Sequence, residues 1–166
     1  MSIRADICKT IFKRWTKRLE YRSRFNKDFK GVVFVYESGA DGTHKVIGSF
    51  TAGHIVCDRA DEDLSEADEK FLQSLDEQTR AQYHRIVDDT AVMYAIEITD
   101  VKRFTRPLSL REFSEFFGTS KKVERAPQSW QYVDLKNADL EPLYTSVKPE
   151  DCEDLKGGAT EKFFER

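Results

Sequence analysis

The N-terminal residues follow a helical pattern of apolar and polar positions. Large apolar residues recur here at a spacing of four: Ile3, Ile7, Ile11 and Trp15. This spacing places them on one stripe of a helix, which we predict over residues 4–14.

Apolar and polar positions alternate after this helix, and the alternation predicts a strand over residues 18–25. One face of the strand is charged throughout: Arg18, Glu20, Arg22 and Arg24. The other face is apolar and aromatic: Leu19, Tyr21 and Phe25. Strict alternation places Lys17 opposite Glu20 and Arg22, so Lys17 joins them only from a bend or from the helix end.

The middle of the chain predicts two further strands. The apolar run at residues 32–36 is typical of a strand buried on both faces. Turn-forming residues at 38–43 connect it to a long strand over residues 45–56. Within that strand, Gly48 and Gly53 predict bends or bulges.

Helical and strand periods follow each other in the second half of the chain. A capping box opens a single helix over residues 65–86, and an alternating strand follows over residues 91–105. A second capping box at Ser109 opens a helix that ends at Gly118. Residues 130–133 predict a last short strand.

These elements predict one α+β domain over residues 1–135, with mostly antiparallel strands that could close into a small β-barrel flanked by helices. Residues 136–166 are polar and acidic, without a clear period, and predict a C-terminal tail.

The composition is typical of a soluble globular protein, since the 166 residues are 39% hydrophobic and 34% charged. No apolar run approaches the length of a membrane span, and the N-terminus lacks the apolar core of a signal peptide. The three cysteines are too scattered for a disulfide framework. We therefore expect no membrane association and a cytoplasmic location.

Charge is distributed unevenly along the chain, although the net charge is only −3. Residues 1–31 carry ten Lys and Arg against three acids, and residues 58–77 carry nine acids against two bases. A basic patch on an acidic protein indicates an anionic partner. Ion pairing between the two segments, on an otherwise solvated surface, explains the same pattern equally well.

Three motifs, taken in order, resemble the ASCH family of the PUA-like superfamily. The family pattern G-x-K-x-x-E-x-R is matched at Lys17, Glu20 and Arg22, with Trp15 in place of the glycine. Residues 94–110 and 126–132 also resemble members of this family. The resemblance covers about residues 1–135.

This resemblance implies a PUA-like β-barrel with a polar cleft lined by Lys17, Glu20 and Arg22. Relatives on this fold bind RNA or recognise modified bases, and some resemble ribonucleases. A small group deacylates N4-acetylcytidine with a Lys, a Thr and a Glu. In that group the Thr stands at the position of Glu20, and a carboxylate does not replace a hydroxyl nucleophile.

The residue types in this motif suit a nucleotide ligand. Lys17 offers a point charge and Arg22 a bidentate fork for phosphate. Glu20 could accept a hydrogen bond from a base edge or act as a general base. The alternative is an ion pair that only stabilises the strand, since buried charges need partners.

Aromatic and amide side chains near the motifs extend the candidate ligand site. Tyr94 and Trp130 could stack on bases, and Gln128 and Ser129 could contact a base edge. The alternatives are core packing for the two rings and an ordinary turn after Pro127 for the other two residues. We predict no metal site and no cofactor, since the histidines are widely spaced and the glycines match no phosphate loop.

The sequence therefore favours a domain that binds RNA or a modified nucleotide in a polar cleft. The second hypothesis is a hydrolase, either a ribonuclease or an amidohydrolase acting on a nucleoside derivative. Its base would be Glu20 or Glu97, and Lys17 would stabilise the developing anion. A third hypothesis is a regulatory module that binds a partner through the acidic residues 58–77.

Overall fold

The computed structural model describes residues 1–13, 16–119 and 123–136, together with the backbone of residues 144–146. Within these residues the chain forms six strands and four helices. The strands are β1 (Ser2–Arg4), β2 (Leu19–Arg22), β3 (Gly31–Ser38), β4 (Val46–Arg59), β5 (Val92–Leu108) and β6 (Tyr144–Ser146). The helices are α1 (Ala5–Phe12), α2 (Glu66–Ser74), α3 (Glu77–Val87) and α4 (Leu110–Phe117).

The strands form one mixed sheet in the order β1-β3-β4-β5-β2, and β6 also pairs with β5. All described pairs are antiparallel except β1 with β3. The predicted α+β class with mostly antiparallel strands is therefore confirmed. The barrel is not confirmed, because no strand pair in the described part of the chain joins β1 to β2 or β6.

A side chain, not a ladder, connects the two ends of the sheet. Arg22 at the end of β2 donates a hydrogen bond from Nη2 to the carbonyl oxygen of Ser2 in β1, at 2.8 Å. The sheet therefore curves far enough to bring its first and last strands within reach of one guanidinium group.

The curvature arises in β4, where the register with β5 shifts at the positions of both predicted bulges, Gly48 and Gly53. A Cβ atom at Gly48 would overlap the carbonyl oxygen of Lys102 and the ring of Phe12. The missing side chain thus lets β4 cross closely over β5 and under α1.

The single helix predicted over residues 65–86 is wrong, because the structure has two helices there. Leu75 is extended, with φ −74° and ψ 153°, and ends α2. Asp76 then caps α3, since its carboxylate accepts a hydrogen bond from the Thr79 amide at 2.8 Å. The apolar period continues across this break, which is why the pattern alone did not show it.

The predicted caps of the other helical boundaries are confirmed. The Ser65 hydroxyl accepts from the Asp68 amide at the start of α2. Ser109 and Glu112 form a reciprocal capping box at the start of α4, and Gly118 ends that helix with a left-handed φ of 57°.

The strand predicted at residues 130–133 is also wrong, because these residues are irregular. The preceding segment is held against β1 through Ser2 instead. The Ser2 amide donates to the Ser129 carbonyl at 2.8 Å, and the Ser2 hydroxyl donates to the Pro127 carbonyl at 2.6 Å. The 127–130 segment consequently lies beside Arg22, which bonds the same residue.

The sheet and helices enclose three apolar clusters. The first lies between the sheet and α1 and includes Ile11, Phe50 and Ile96. The second packs α2 and α3 on the sheet around Leu19 and Tyr83. The third surrounds the aromatic residues of α4. None of the described helices combines the length and apolarity needed to cross a bilayer.

Candidate functional site

Lys17, Glu20 and Arg22 converge in the structure. The Lys17 Nζ atom lies 3.6 Å from Glu20 Oε2, and Arg22 Nη1 donates to Glu20 Oε1. The exposed fractions of the side chains are 11% for Lys17, 5% for Glu20 and 16% for Arg22. We call these three residues the ion cluster.

The register of β2 explains how these side chains meet. Glu20 lies opposite Ile96 and Arg22 opposite Tyr94, and directly opposed residues share one face of an antiparallel pair. Lys17 precedes the strand, so alternation does not fix its direction. Its ammonium group reaches Glu20 and also lies 5.1 Å from the centre of the Tyr21 ring.

The ion cluster retains hydrogen-bonding capacity. Glu20 Oε2 and Arg22 Nε are buried and have no hydrogen-bond partner among the described residues. Arg22 uses its other nitrogens on Glu20, on the Tyr21 carbonyl at 2.9 Å and on the Ser2 carbonyl. Glu20 Oε2 still lies within ion-pair distance of Lys17 Nζ, so Arg22 Nε is left as a buried donor without a partner among the described residues.

Tyr21 adds a buried hydroxyl group on the opposite face of β2 from Glu20 and Arg22. Burial, and to a lesser extent the charge of Glu20, raises the pKa of the Tyr21 hydroxyl. That hydroxyl likewise has no hydrogen-bond partner among the described residues.

Two of the predicted ligand residues, Ser129 and Trp130, lie next to the ion cluster. The Ser129 carbonyl bonds the Ser2 amide, and Ser2 in turn accepts from Arg22. Trp130 Nε1 donates to the carbonyl oxygen of Arg24 at 2.6 Å. Gln128 is exposed on the same segment.

Tyr94 lies next to Arg22 in the sheet register, but its hydroxyl engages other groups. A hydrogen bond with Cys57, followed by burial, raises the pKa of Tyr94, and Arg59 opposes the rise. Tyr94 therefore supports the cluster from the adjacent strand while its polar end interacts with β4.

Glu97 does not join the ion cluster. It lies opposite Leu19, on the face of β2 that Glu20 does not share. Its Oε2 atom accepts a hydrogen bond from the His54 amide at 2.9 Å, next to the bulge at Gly53. Trp15, which replaces the glycine of the family pattern, lies outside the described residues.

A second group of charged residues was missed by the sequence analysis. His54 Nε2 lies 2.7 Å from Asp68 Oδ1, and Lys27 Nζ lies 3.1 Å from Asp68 Oδ2. The His54 ring stacks on Phe71 with 4.5 Å between ring centres. No spacing pattern identifies this group, because its members come from a loop, a bulged strand and a helix.

Asp68 is the buried centre of this group. Burial raises the pKa of its carboxyl group, but hydrogen bonds from His54, Ser65 and Lys27 outweigh that effect, so the pKa is below its ordinary value. The contacts tie the 23–30 loop and α2 to β4. Within the described residues no three His, Cys, Asp or Glu side chains gather as metal ligands would.

The structure contains a cavity of about 520 Å³ that is separate from the ion cluster. Tyr132, Gln131 and Arg125 contribute to its wall. A smaller cavity of about 40 Å³ lies between α4 and the start of β4.

The comparisons with known proteins place the fold. No family model matches the chain, and no curated protein matches it. The structure is similar to the crystal structure of a tyrosine-to-phenylalanine variant of an ASCH protein from Zymomonas mobilis. The TM-score is 0.51 at 18% identity, over 87% of this chain and 96% of the other.

Two further crystal structures of the Zymomonas mobilis ASCH protein give similar values. The first has a TM-score of 0.49 at 19% identity, over 89% of this chain and 96% of the other. A serine-to-alanine variant has a TM-score of 0.48 at 18% identity, over 87% and 94%. The likeness to the variant with a TM-score of 0.51 confirms, at the level of the fold, the ASCH resemblance seen in the sequence motifs.

Proposed function

We propose that this protein binds RNA, or a modified nucleotide, through the ion cluster and the adjoining 127–130 segment. The observation that carries the proposal is the convergence of two cations, Lys17 and Arg22, on the buried Glu20, with the Nε donor of Arg22 left unpaired. A buried polar atom without a partner costs about 1–3 kcal/mol, so a ligand that satisfies it gains that amount.

The charges of the cluster favour an anionic ligand. Two cations surround one carboxylate, which leaves a net charge of +1. Lys17 and Arg22 each retain a small exposed surface, whereas Glu20 is covered. A phosphate would approach the two cations, while the covered carboxylate of Glu20 holds them side by side.

The competing explanation is an ion pair that serves only to stabilise β2. Such a pair would satisfy its hydrogen-bonding groups internally, because unpaired buried groups weaken the fold. The ion cluster satisfies only part of them. RNA binding is also what the resemblance to the ASCH family implies, and the likeness of the fold supports that resemblance.

The hydrolase interpretation receives less support from the geometry. Both carboxylate oxygens of Glu20 lie against the cations of Lys17 and Arg22, and the side chain is only 5% exposed, so little of it can reach a substrate. Glu97, the other candidate base, lies on the opposite face of the sheet. We therefore propose binding as the function of this site.

The test is the salt dependence of binding to a pool of single-stranded RNA. Each phosphate contact contributes about −0.7 to the slope of log K against log salt concentration. Lys17→Met and Arg22→Gln should each weaken binding and make the slope shallower by about that amount. Urea unfolding would confirm that each variant is folded under the assay conditions.

Two exposed pairs provide matched controls. Lys70→Met and Arg111→Gln remove the same charges from α2 and α4, where each cation pairs with a glutamate four residues away. These variants should bind RNA as the unchanged protein does. Binding that ignores salt, or equal losses in the cluster and control variants, would contradict the proposal.

A further inference from the structure

The aromatic side chains beside the ion cluster form a surface that the proposed function does not yet use. Phe25, Phe29, Trp130 and Tyr132 contact one another, and we call them the aromatic cluster. Ring centres lie 5.1 Å apart for Phe25 and Trp130 and 5.2 Å apart for Trp130 and Tyr132. Tyr132 is 61% exposed, the highest value among the large hydrophobic side chains that the structure describes.

The Tyr132 ring is held in place although it is exposed. Trp130 packs against it at an interplanar angle of 87°, and Phe29 lies 6.2 Å away. Its hydroxyl accepts a hydrogen bond from Asn26 Nδ2 at 3.0 Å. An exposed ring fixed by its neighbours has little conformational entropy to lose when a flat ligand stacks on it.

Tyr132 also forms part of the wall of the 520 Å³ cavity. This volume lies within the range of about 300–1,000 Å³ typical of small-ligand pockets. Gln131 lines the same cavity together with Glu124, Asp134 and Arg125. The amide and the two carboxylates offer donors and acceptors to a base edge, while the single cation leaves the lining acidic. The lining therefore matches a base rather than a phosphate.

The aromatic cluster joins the cavity to the loop that follows β2. Trp130 of the aromatic cluster bonds the carbonyl of Arg24, two residues beyond Arg22. The loop between β2 and β3 interleaves aromatic and basic residues, with Arg24 and Lys30 exposed. Basic groups next to stacking rings are the usual features of single-strand binding sites.

We propose that Tyr132 and the adjoining cavity hold one unpaired base of a single-stranded RNA, stacked on the Tyr132 ring. This inference rests on the proposed function and adds the strandedness of its ligand. A base within a duplex is stacked on both sides and offers no face to the ring, so the pocket selects single strands.

The test compares Tyr132 variants in binding to a fluorescein-labelled 12-nucleotide RNA of mixed sequence, single-stranded or annealed to its complement. Tyr132→Ala should weaken single-strand binding by about 5- to 150-fold, the range expected for one lost stacking contact. Tyr132→Phe keeps the ring and should bind within about twofold of the unchanged protein. Phe116→Ala removes an exposed ring from α4, 38% exposed, and should have no effect.

The salt slope separates this inference from the proposed function. Tyr132→Ala should leave the slope unchanged because it removes no charge, whereas Arg22→Gln should reduce it. If Arg22→Gln weakens binding and Tyr132→Ala does not, base stacking on Tyr132 is contradicted and RNA binding by the ion cluster is supported. If only Tyr132→Ala weakens binding, base stacking on Tyr132 is supported and phosphate binding by the ion cluster is contradicted.

Absence of binding to either RNA would overturn both proposals. Photocrosslinking to the same RNA carrying 5-iodouridine provides a measurement on the unchanged protein, in case Tyr132→Ala does not fold. The crosslink should map to the peptide that contains Tyr132. A crosslink confined to other peptides would overturn the stacking pocket.

Discussion

Glu20 is buried between two cations, and this environment determines how its variants must be interpreted. Removing one partner from a buried ion pair costs about 3–5 kcal/mol, because the remaining charge loses its compensation. Lys17 and Arg22 are such partners. Their substitution therefore affects both stability and ligand binding. The slope of log K against log salt concentration separates the two effects, because it depends on the number of phosphate contacts and not on the free energy of unfolding.

Asp68 gives a prediction about pH. Its pKa in the folded protein is below the ordinary value of 3.8, so its contribution to stability is complete above that pH. The contribution is lost as pH falls through the lower, folded-state pKa. Asp68→Asn should therefore reduce the free energy of unfolding by about 2 kcal/mol at pH 7, measured by urea unfolding. The difference from the unchanged protein should shrink as pH falls below 3.8 and through the folded-state pKa.

The control for this prediction is Asp63→Asn, which neutralises an exposed carboxylate just before α2. It should have little effect over the same pH range. A cost of Asp68→Asn that does not change from pH 7 down to the acid limit of folding would show that the contacts of Asp68 do not depend on its charge.

Single residues were predictable where their contacts are local. Lys17, Glu20 and Arg22 lie within one short segment, so the sequence could indicate that they meet. The position of Glu97 depends on which residue of β2 faces it, and the sequence contains no information on that register. His54 faces Asp68 only because β4 shifts register near Gly53, a distortion whose direction no pattern specifies.

At the level of elements, capping residues were more informative than apolar periods. Ser109 and Gly118 marked both ends of α4 correctly. In contrast, Leu75 and Thr79 kept one helical period across the break between α2 and α3. The available signal was Asp76 followed by Thr79, an N-cap whose carboxylate also accepts from the Thr79 hydroxyl at 2.6 Å.

Asp76→Ala tests whether this cap sets the start of α3. Loss of an N-cap carboxylate leaves amides at the helix start without a partner and costs about 1 kcal/mol. We expect a loss of that size in urea unfolding, with faster amide hydrogen exchange confined to the first turn of α3. Asp76→Ser should recover most of the stability, because serine also caps helices. Equal losses for both variants would contradict the capping role.

The short strands and the irregular segments could not be predicted from the spacing of apolar residues, because they are too short or too irregular to show a period. β1 has three residues and pairs in parallel with β3, while β6 has three residues within the segment predicted as a tail. The 127–130 segment bonds β1 through backbone atoms that every residue carries. A pattern of side chains therefore gives no sign of these contacts.

Across the whole molecule, part of the acidic segment 58–77 is used internally. The Tyr83 hydroxyl donates to Asp58, Asp68 holds His54 and Lys27, and Asp76 caps α3. Basic residues near the N-terminus meet part of this acidic charge, since Lys27 pairs with Asp68 and the charge of Arg18 acts on Asp76. The charge asymmetry thus supports the fold at these positions and leaves the other acids exposed.

The contact between the two ends of the sheet depends on Arg22, which bonds Glu20 and the Tyr21 carbonyl in β2 and the Ser2 carbonyl in β1. Lysine keeps the charge but lacks the planar fork, so Arg22→Lys cannot maintain contacts to both ends of the sheet. We expect amide hydrogen exchange in residues 1–4 to accelerate by about tenfold or more, which corresponds to a lost charge-assisted bond of at least about 1.4 kcal/mol.

Arg111→Lys is the matched control, because Arg111 pairs with Glu115 on the exposed side of α4. It should leave exchange in residues 1–4 unchanged. Unchanged exchange in Arg22→Lys would mean that β1 is held by β3 and the 127–130 segment alone. The ion cluster would then be a local feature of β2, whereas faster exchange makes it the connection through which a bound ligand also stabilises the two ends of the sheet.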